Sequence, residues 1–149
     1  MKTLIYGGRV IDPANRVDAA LNILIENGKI AWAGRQMPEA DETIDATGKI
    51  VSPGFIDVHM HEDPVEDGAI RQCIFPMMLR QGVTTAVGGN CGGNVHDPLD
   101  YLRIVDREGA AVNVALYAGH EYFRIAAGAR DIYGGSTEQQ RREMARNIT

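Results

Sequence analysis

His59-Met60-His61 is the segment of this sequence whose residue types most directly suggest chemistry. In an extended segment side chains alternate, so both imidazoles fall on one face and can grip a single divalent cation. Asp57 shares that face, where a carboxylate can orient a ligand or its loop. Asp63 lies just beyond and reads either the same way or as a surface charge, and Glu62 reads as surface. Met60 points the other way and is expected to pack against a helix layer. An isolated H-x-H also fits two surface histidines in a loop. Here Pro53-Gly54 and the strand-like Phe55-Ile56-Asp57-Val58 precede it, which places the pair at the end of a strand.

The elements that must hold the pair alternate between strand and helix. Phe55 to His59 is the first strand. From Gly68 to Arg80, Ile70, Cys73, Ile74, Met77 and Met78 recur at helical spacing. They predict an amphipathic helix, bent or shortened by Pro76 and ended by Gly82. Val83 to Val87 is the next strand. Asp97-Pro98 is a cap and first-turn pair for a helix that carries Leu99, Leu102 and Val105 on one face and stops at Gly109. Val112 to Tyr117 is a third strand, and Ser136-Thr137-Glu138-Gln139 resembles a capping box opening a polar helix. The strand starts at Phe55, Val83 and Val112 are 28 and 29 residues apart. That pitch means βα units on a parallel sheet. Eight such units need roughly 230 residues, close to a (β/α)8 barrel. Residues 53–149 therefore read as the first three βα units of an incomplete TIM-type barrel. Barrel sites lie at the C-terminal ends of the strands, where His59 and His61 fall.

Residues 1–52 have another character. Leu4-Ile5-Tyr6, Arg9-Val10-Ile11, Ala20 to Ile25, Lys29 to Ala33 and Thr43 to Ala46 are short apolar runs between turns. Asn27-Gly28 between two of them is a hairpin signal. With no helix pattern, this stretch reads as strands of a small β-sandwich, and the chain as α/β overall. Its 149 residues allow a real core. A net charge of −5 argues against nucleic acid or an anionic membrane as partner. No apolar run approaches the roughly 18 residues of a membrane span. The N-terminus lacks the apolar core of a signal peptide, which makes the cytoplasm the expected compartment. There, Cys73 and Cys91 are free to be core residues or ligands.

Val51-Ser52-Pro53-Gly54-Phe55-Ile56-Asp57-Val58-His59-Met60-His61 resembles the signature of the amidohydrolase superfamily, in which the H-x-H supplies ligands to the more buried metal. The first fifty residues resemble that family's small β-sandwich, and Gly82-Val83-Thr84-Thr85 its second barrel strand. Gly89-Asn90-Cys91-Gly92 is similar to the Gly-Asn-Cys-Gly of N-acyl-D-amino-acid deacylases (D-aminoacylases), where the cysteine is a ligand. Gly119-His120 and Arg124 resemble a Gly-His-Gly-Thr-Leu-Arg stretch of the same group, although Glu121-Tyr122-Phe123 replaces its small residues.

The resemblance implies a zinc enzyme with one or two divalent ions, in which an activated water attacks an amide carbonyl and an acid protonates the departing amine. His59, His61 and Cys91 would be ligands, since Cys91 also ends a strand on the active face and a cation holds a thiolate deprotonated. Cys73, on its helix stripe, reads as a small buried residue. His120 would hydrogen-bond a substrate carbonyl or the attacking water. Arg124 would clamp the carboxylate of an N-acyl amino acid, or sit on a polar loop. Further ligands and the catalytic acid would come from later strands. The rest of the barrel is then expected from a longer chain or a second polypeptide, with a homo-oligomer possible, and the 149 residues alone are expected to be inactive. Two alternatives stand beside the deacylase: a cyclic-amide hydrolase of the dihydroorotase or hydantoinase kind, and a non-catalytic metal-binding or assembly module whose open sheet edge another chain covers.

Overall fold

Alternation and turn chemistry organise residues Met1–Pro53, one of two units into which the chain divides. The computed structural model describes residues 1–131 and 133–148. In this unit β1 (Lys2–Tyr6), β2 (Arg9–Asp12), β3 (Val17–Ala20), β4 (Asn22–Glu26), β5 (Lys29–Gly34), β6 (Glu42–Asp45) and β7 (Ile50–Val51) follow in turn. One sheet has the order β5-β4-β1-β6 and the other β3-β2-β7. Asn27 and Gly28 both take positive φ, 51° and 74°. A two-residue loop of that kind joins antiparallel strands with the right twist, and β4 and β5 pair through it. Leu4, Ile23 and Leu24 of the first sheet and Val10 of the second are buried. Ile5, Ile23, Ile25, Val10, Val17 and Val51 line an apolar cleft of about 460 Å³.

The second unit, Gly54–Thr149, alternates strands with helices. It runs β8 (Phe55–Asp57), β9 (Val65–Glu66), β10 (Ala69–Ile70), α1 (Ile74–Arg80), β11 (Val83–Gly88), α2 (Pro98–Glu108), β12 (Asn113–Leu116), α3 (His120–Ala126) and α4 (Glu138–Ile148). β8, β11 and β12 form a parallel sheet in the order β12-β11-β8, each joined to the next through a helix. Met60, Phe75, Met78, Ala86, Tyr101 and Ile104 are the centre of its core. Met60 thus faces inward between two outward histidines. Asp97 caps α2 by accepting from the N–H groups of Leu99 and Asp100, Pro98 sits in its first turn, and Gly109 ends it at φ 79°. Phe55, Ile56 and Val58 are exposed.

Four local expectations change. The helix expected from Gly68 begins only at Ile74, because Asp67 and Gly68, at φ 53° and 78°, turn a β9–β10 hairpin instead. Within α1 the buried residues are Phe75 and Met78, with Met77 exposed, and Cys73 is an exposed cap position rather than a core residue. In α2 the inward face carries Tyr101 and Ile104 while Leu99 is 64% exposed. The aromatic ring offers more area to bury than a leucine does. The α4 capping box is shifted by one residue. Thr137 Oγ1 accepts from Gln140 N–H, and Gln140 Oε1 accepts from Thr137 N–H.

Asp63, 0% exposed, explains where α1 starts. Its carboxylate accepts the N–H groups of Cys73, Ile74 and Phe75 at 2.8–3.1 Å and the Cys73 thiol at 2.8 Å. Its own carbonyl accepts the buried Tyr101 hydroxyl at 3.0 Å. Burial pushes the Asp63 carboxyl up, but the Cys73 thiol and the three N–H groups together hold it below the usual carboxylate range. Burial, with the charges of Asp63 and Glu62, pushes the Tyr101 phenol up. Asp63→Ala would leave these donors without an acceptor. The expected loss is about 2–4 kcal/mol of stability, read by urea denaturation. A change under about 0.5 kcal/mol would show that α1 does not depend on the cap. Because the folded carboxyl titrates low, this stabilisation is present above the ordinary carboxyl range and fades as pH falls through the folded value.

Candidate metal centre

The histidine pair owes its geometry to the end of β8. Asp57 Oδ1 accepts the N–H of His59 at 3.0 Å, so this carboxylate fixes the backbone of a candidate ligand. Met60 N–H donates to the Val87 carbonyl at 3.1 Å, which keeps the segment alongside β11 after the strand has ended. His59 and His61 are both exposed, with ring centroids 5.8 Å apart and planes at 60°.

Cys91 arrives from the next strand end. β11 passes into a 3-10 turn at Asn90–Gly92, in which Cys91 takes φ 58° and ψ 16°. Gly89 enters that turn at φ 76°, and a Cβ there would stand 2.2 Å from the Tyr117 carbonyl oxygen. Only glycine allows this approach. Asn90 Nδ2 donates to the Val87 carbonyl at 2.7 Å and to that of Met60 at 3.4 Å, tying the turn to the H-x-H segment. Cys91 Sγ consequently lies 3.4 Å from His59 Nε2 and 4.0 Å from His61 Nε2. Among the described residues these three are the group whose donor atoms all lie within 4.8 Å of one another.

The donor set fits a zinc-type ion. Nitrogen and sulfur donors of a tetrahedral zinc stand about 3.5 Å apart, near the two sulfur–nitrogen separations here. One thiolate and two imidazoles suit a borderline-soft cation. Three nitrogen and sulfur donors from protein side chains are a set that a zinc-type ion accepts.

The other expected site residues are outside this group of three. Asp63 spends its carboxylate on α1, as above. His120 is exposed at the start of α3, whose cap residue Gly119 presses on the Cys91 turn: a Cβ on Gly119 would stand 2.5 Å from the Gly92 carbonyl oxygen. Arg124 donates to the backbone carbonyls of Ala129, Asp131 and Gly134. As placed, its fork holds the loop after α3, and a substrate carboxylate would have to displace these carbonyls to use it. Glu62 is not a surface residue but is 4% exposed, accepting from Asn94 Nδ2 at 2.8 Å. Nothing local in the sequence signals this, since the partner lies 32 residues away. No helix among the described residues is long and apolar enough to cross a membrane.

Residues 42–131 match the amidohydrolase family. A D-aminoacylase of Alcaligenes xylosoxydans xylosoxydans is 32% identical over 161 aligned positions, covering 92% of this chain and 32% of that protein. A dihydroorotase of Aquifex aeolicus (strain VF5) is 38% identical over 116 positions, covering 71% of this chain and 25% of that one. Among solved structures, the N-acyl-D-glutamate deacylase of Bordetella bronchiseptica, complexed with zinc and a phosphonate mimic of the tetrahedral intermediate, superposes with a TM-score of 0.81. It is 28% identical over 98% of this chain and 35% of its own. The chain thus spans between a quarter and about a third of the length of these relatives.

Proposed function

The chain belongs to the amidohydrolase family, and from that premise we propose that it is the N-terminal part of a metal-dependent hydrolase that deacylates N-acyl-D-amino acids. The observation that carries the reading is the meeting of His59, His61 and Cys91 from two strand ends. In this proposal β8, β11 and β12 are the first three strands of a (β/α)8 barrel, and Met1–Pro53 contributes strands of a small β-sandwich. A longer chain or a second polypeptide supplies the remainder, and with it the general acid.

His59, His61 and Cys91 would hold one zinc-type ion of the one or two that the reading calls for. When bound, such an ion supplies Lewis acidity toward an amide carbonyl and makes water nucleophilic near neutral pH. The chain's own residues do the positioning. Asp57 fixes the His59 backbone and Asn90 ties the Cys91 turn to Met60. His120, exposed at the start of α3, would donate to a substrate carbonyl. Arg124 holds the loop behind it.

The similarity to the D-aminoacylase runs over 92% of this chain, and Gly89-Asn90-Cys91-Gly92 resembles the motif of N-acyl-D-amino-acid deacylases; together these favour a linear amide. The higher identity to a dihydroorotase, over a shorter stretch, favours ring opening of a cyclic amide as the second reading. The whole zinc-loaded protein separates them. N-acetyl-D-amino acids are expected to be turned over with kcat/KM at least about 100-fold above that for dihydroorotate, a gap that a site built around one substrate's polar groups can produce. Ring opening without amine release would move the assignment to the cyclic-amide hydrolases.

A further inference from the structure

Glu62 directly follows His61 and is buried. Burying a carboxylate is costly unless hydrogen bonds compensate it, so a residue of this type beside a candidate ligand needs a reason to be there. Its partner is Asn94, three residues after Cys91. Asn94 Nδ2 donates to Glu62 Oε1 at 2.8 Å and to the Tyr117 carbonyl at 3.2 Å, while Asn94 Oδ1 accepts the Gly119 N–H at 2.7 Å. One side chain therefore joins the segments that follow β8, β11 and β12.

The packing around the pair leaves little slack. A Cβ on Gly88 would stand 3.0 Å from Glu62 Cδ, and one on Gly119 would stand 2.7 Å from Asn94 Oδ1. Cys91 sits between two ties. Asn90 holds one side of its turn to β11 and the H-x-H segment, and Asn94 holds the other to Glu62 and Gly119. Left-handed backbone at a non-glycine residue persists when its surroundings over-determine it. Among the described residues, Glu62 is outside the group of clustered donor atoms, so it is no ligand of the same cluster.

We propose that Glu62 and Asn94 are a positioning pair that sets the Cys91 thiolate against His59 and His61. The proposal rests on the metal-centre reading above. The pair acts through a hydrogen bond and not through charge, which makes it separable from general packing.

The test uses the whole protein loaded with cobalt(II), reading the thiolate-to-cobalt charge-transfer band and the cobalt affinity. Glu62→Gln keeps an oxygen acceptor for Asn94 and is expected to hold the wild-type band and an affinity within about threefold. Glu62→Leu removes the acceptor and should weaken the band and lower affinity about 10–100-fold, the scale of losing a group that orients a metal ligand. Asn94→Asp opposes two carboxylates and should do the same. The double variant Glu62→Gln/Asn94→Asp restores the bond between the pair with its polarity reversed, though not the donation to Tyr117, and should regain part of the band lost in Asn94→Asp, which keeps the proposal testable if Glu62→Leu does not fold. Wild-type spectra and affinity in Glu62→Leu and Asn94→Asp would overturn it. So would equal loss in Glu62→Gln and Glu62→Leu, because charge would then be what the site needs. A wild-type protein with no band would instead overturn the metal-centre reading. The pair is then decided on the metal-free protein by amide exchange at Gly119, expected to quicken about tenfold in Glu62→Leu as its acceptor loosens. Unchanged exchange there would overturn the pair itself.

Discussion

Replacing His59 or His61 with alanine is expected to reduce metal affinity and hydrolysis by more than about 100-fold. Removing a group that merely orients a metal-bound histidine already lowers affinity or activity 10–100-fold, and removing the histidine takes away both the donor and its geometry. Each alanine variant leaves two of the three candidate donors that this chain supplies. The fold should not be what fails. Both side chains are exposed and lie outside the core around Met60, Phe75 and Tyr101. Substitutions at such surface positions usually stay within about 0.5 kcal/mol in the metal-free state. Elemental analysis of the purified variants and denaturation with chelator present separate the two effects. Unchanged metal content in both variants would remove these histidines from the centre.

The part of the site that could be read from the sequence is the part that depends on local alternation. His59, Met60 and His61 follow strand periodicity, and the backbone hydrogen bond from Met60 to Val87 extends that pattern past the end of β8. The order β8, α1, β11, α2, β12 is legible because glycine and proline punctuate it, whereas the β9–β10 hairpin and α3 are not signalled. Asp97-Pro98 and Gly109 bound α2 where capping chemistry places them. The helix expected from Gly68 shows how one signal masked another. Asp67-Gly68 between Val65-Glu66 and Ala69-Ile70 is a hairpin turn in its own right, yet helical spacing from Ile70 to Met78 ran across it. Helical spacing alone does not fix which face turns inward. In α1 the choice fell to Phe75 and in α2 to Tyr101, whose rings bury more area than Met77 or Leu99. The carboxylates Glu62 and Asp63 were least legible. Their burial is set by Asn94 and by the N-terminus of α1, partners 10 to 32 residues away that no short window contains.

The two cysteines should part company in a cobalt-substituted protein. Cys91→Ser is expected to abolish the thiolate-to-cobalt band, and Cys73→Ser to leave it intact. A thiol can ligate only once deprotonated. Cys73 Sγ donates to Asp63 at 2.8 Å, and this bond, with burial and the Asp63 charge, pushes its thiol up. Cys73 therefore stays protonated and serves the start of α1. Serine keeps a donor for Asp63 there, so Cys73→Ser should fold normally. Cys91 Sγ has imidazole nitrogens at 3.4 and 4.0 Å, and a cation shared with them would hold it as the thiolate. Serine at that position offers a hydroxyl of similar size, so the turn can keep its course between Gly89 and Gly93 while the soft donor is lost. Cobalt affinity should fall with the band, because oxygen from a neutral hydroxyl is a poorer ligand than thiolate for this class of ion. Loss of the band in Cys73→Ser but not in Cys91→Ser would reverse the assignment and move the centre toward α1. A band that survives both substitutions would place the thiolate outside residues 1–149.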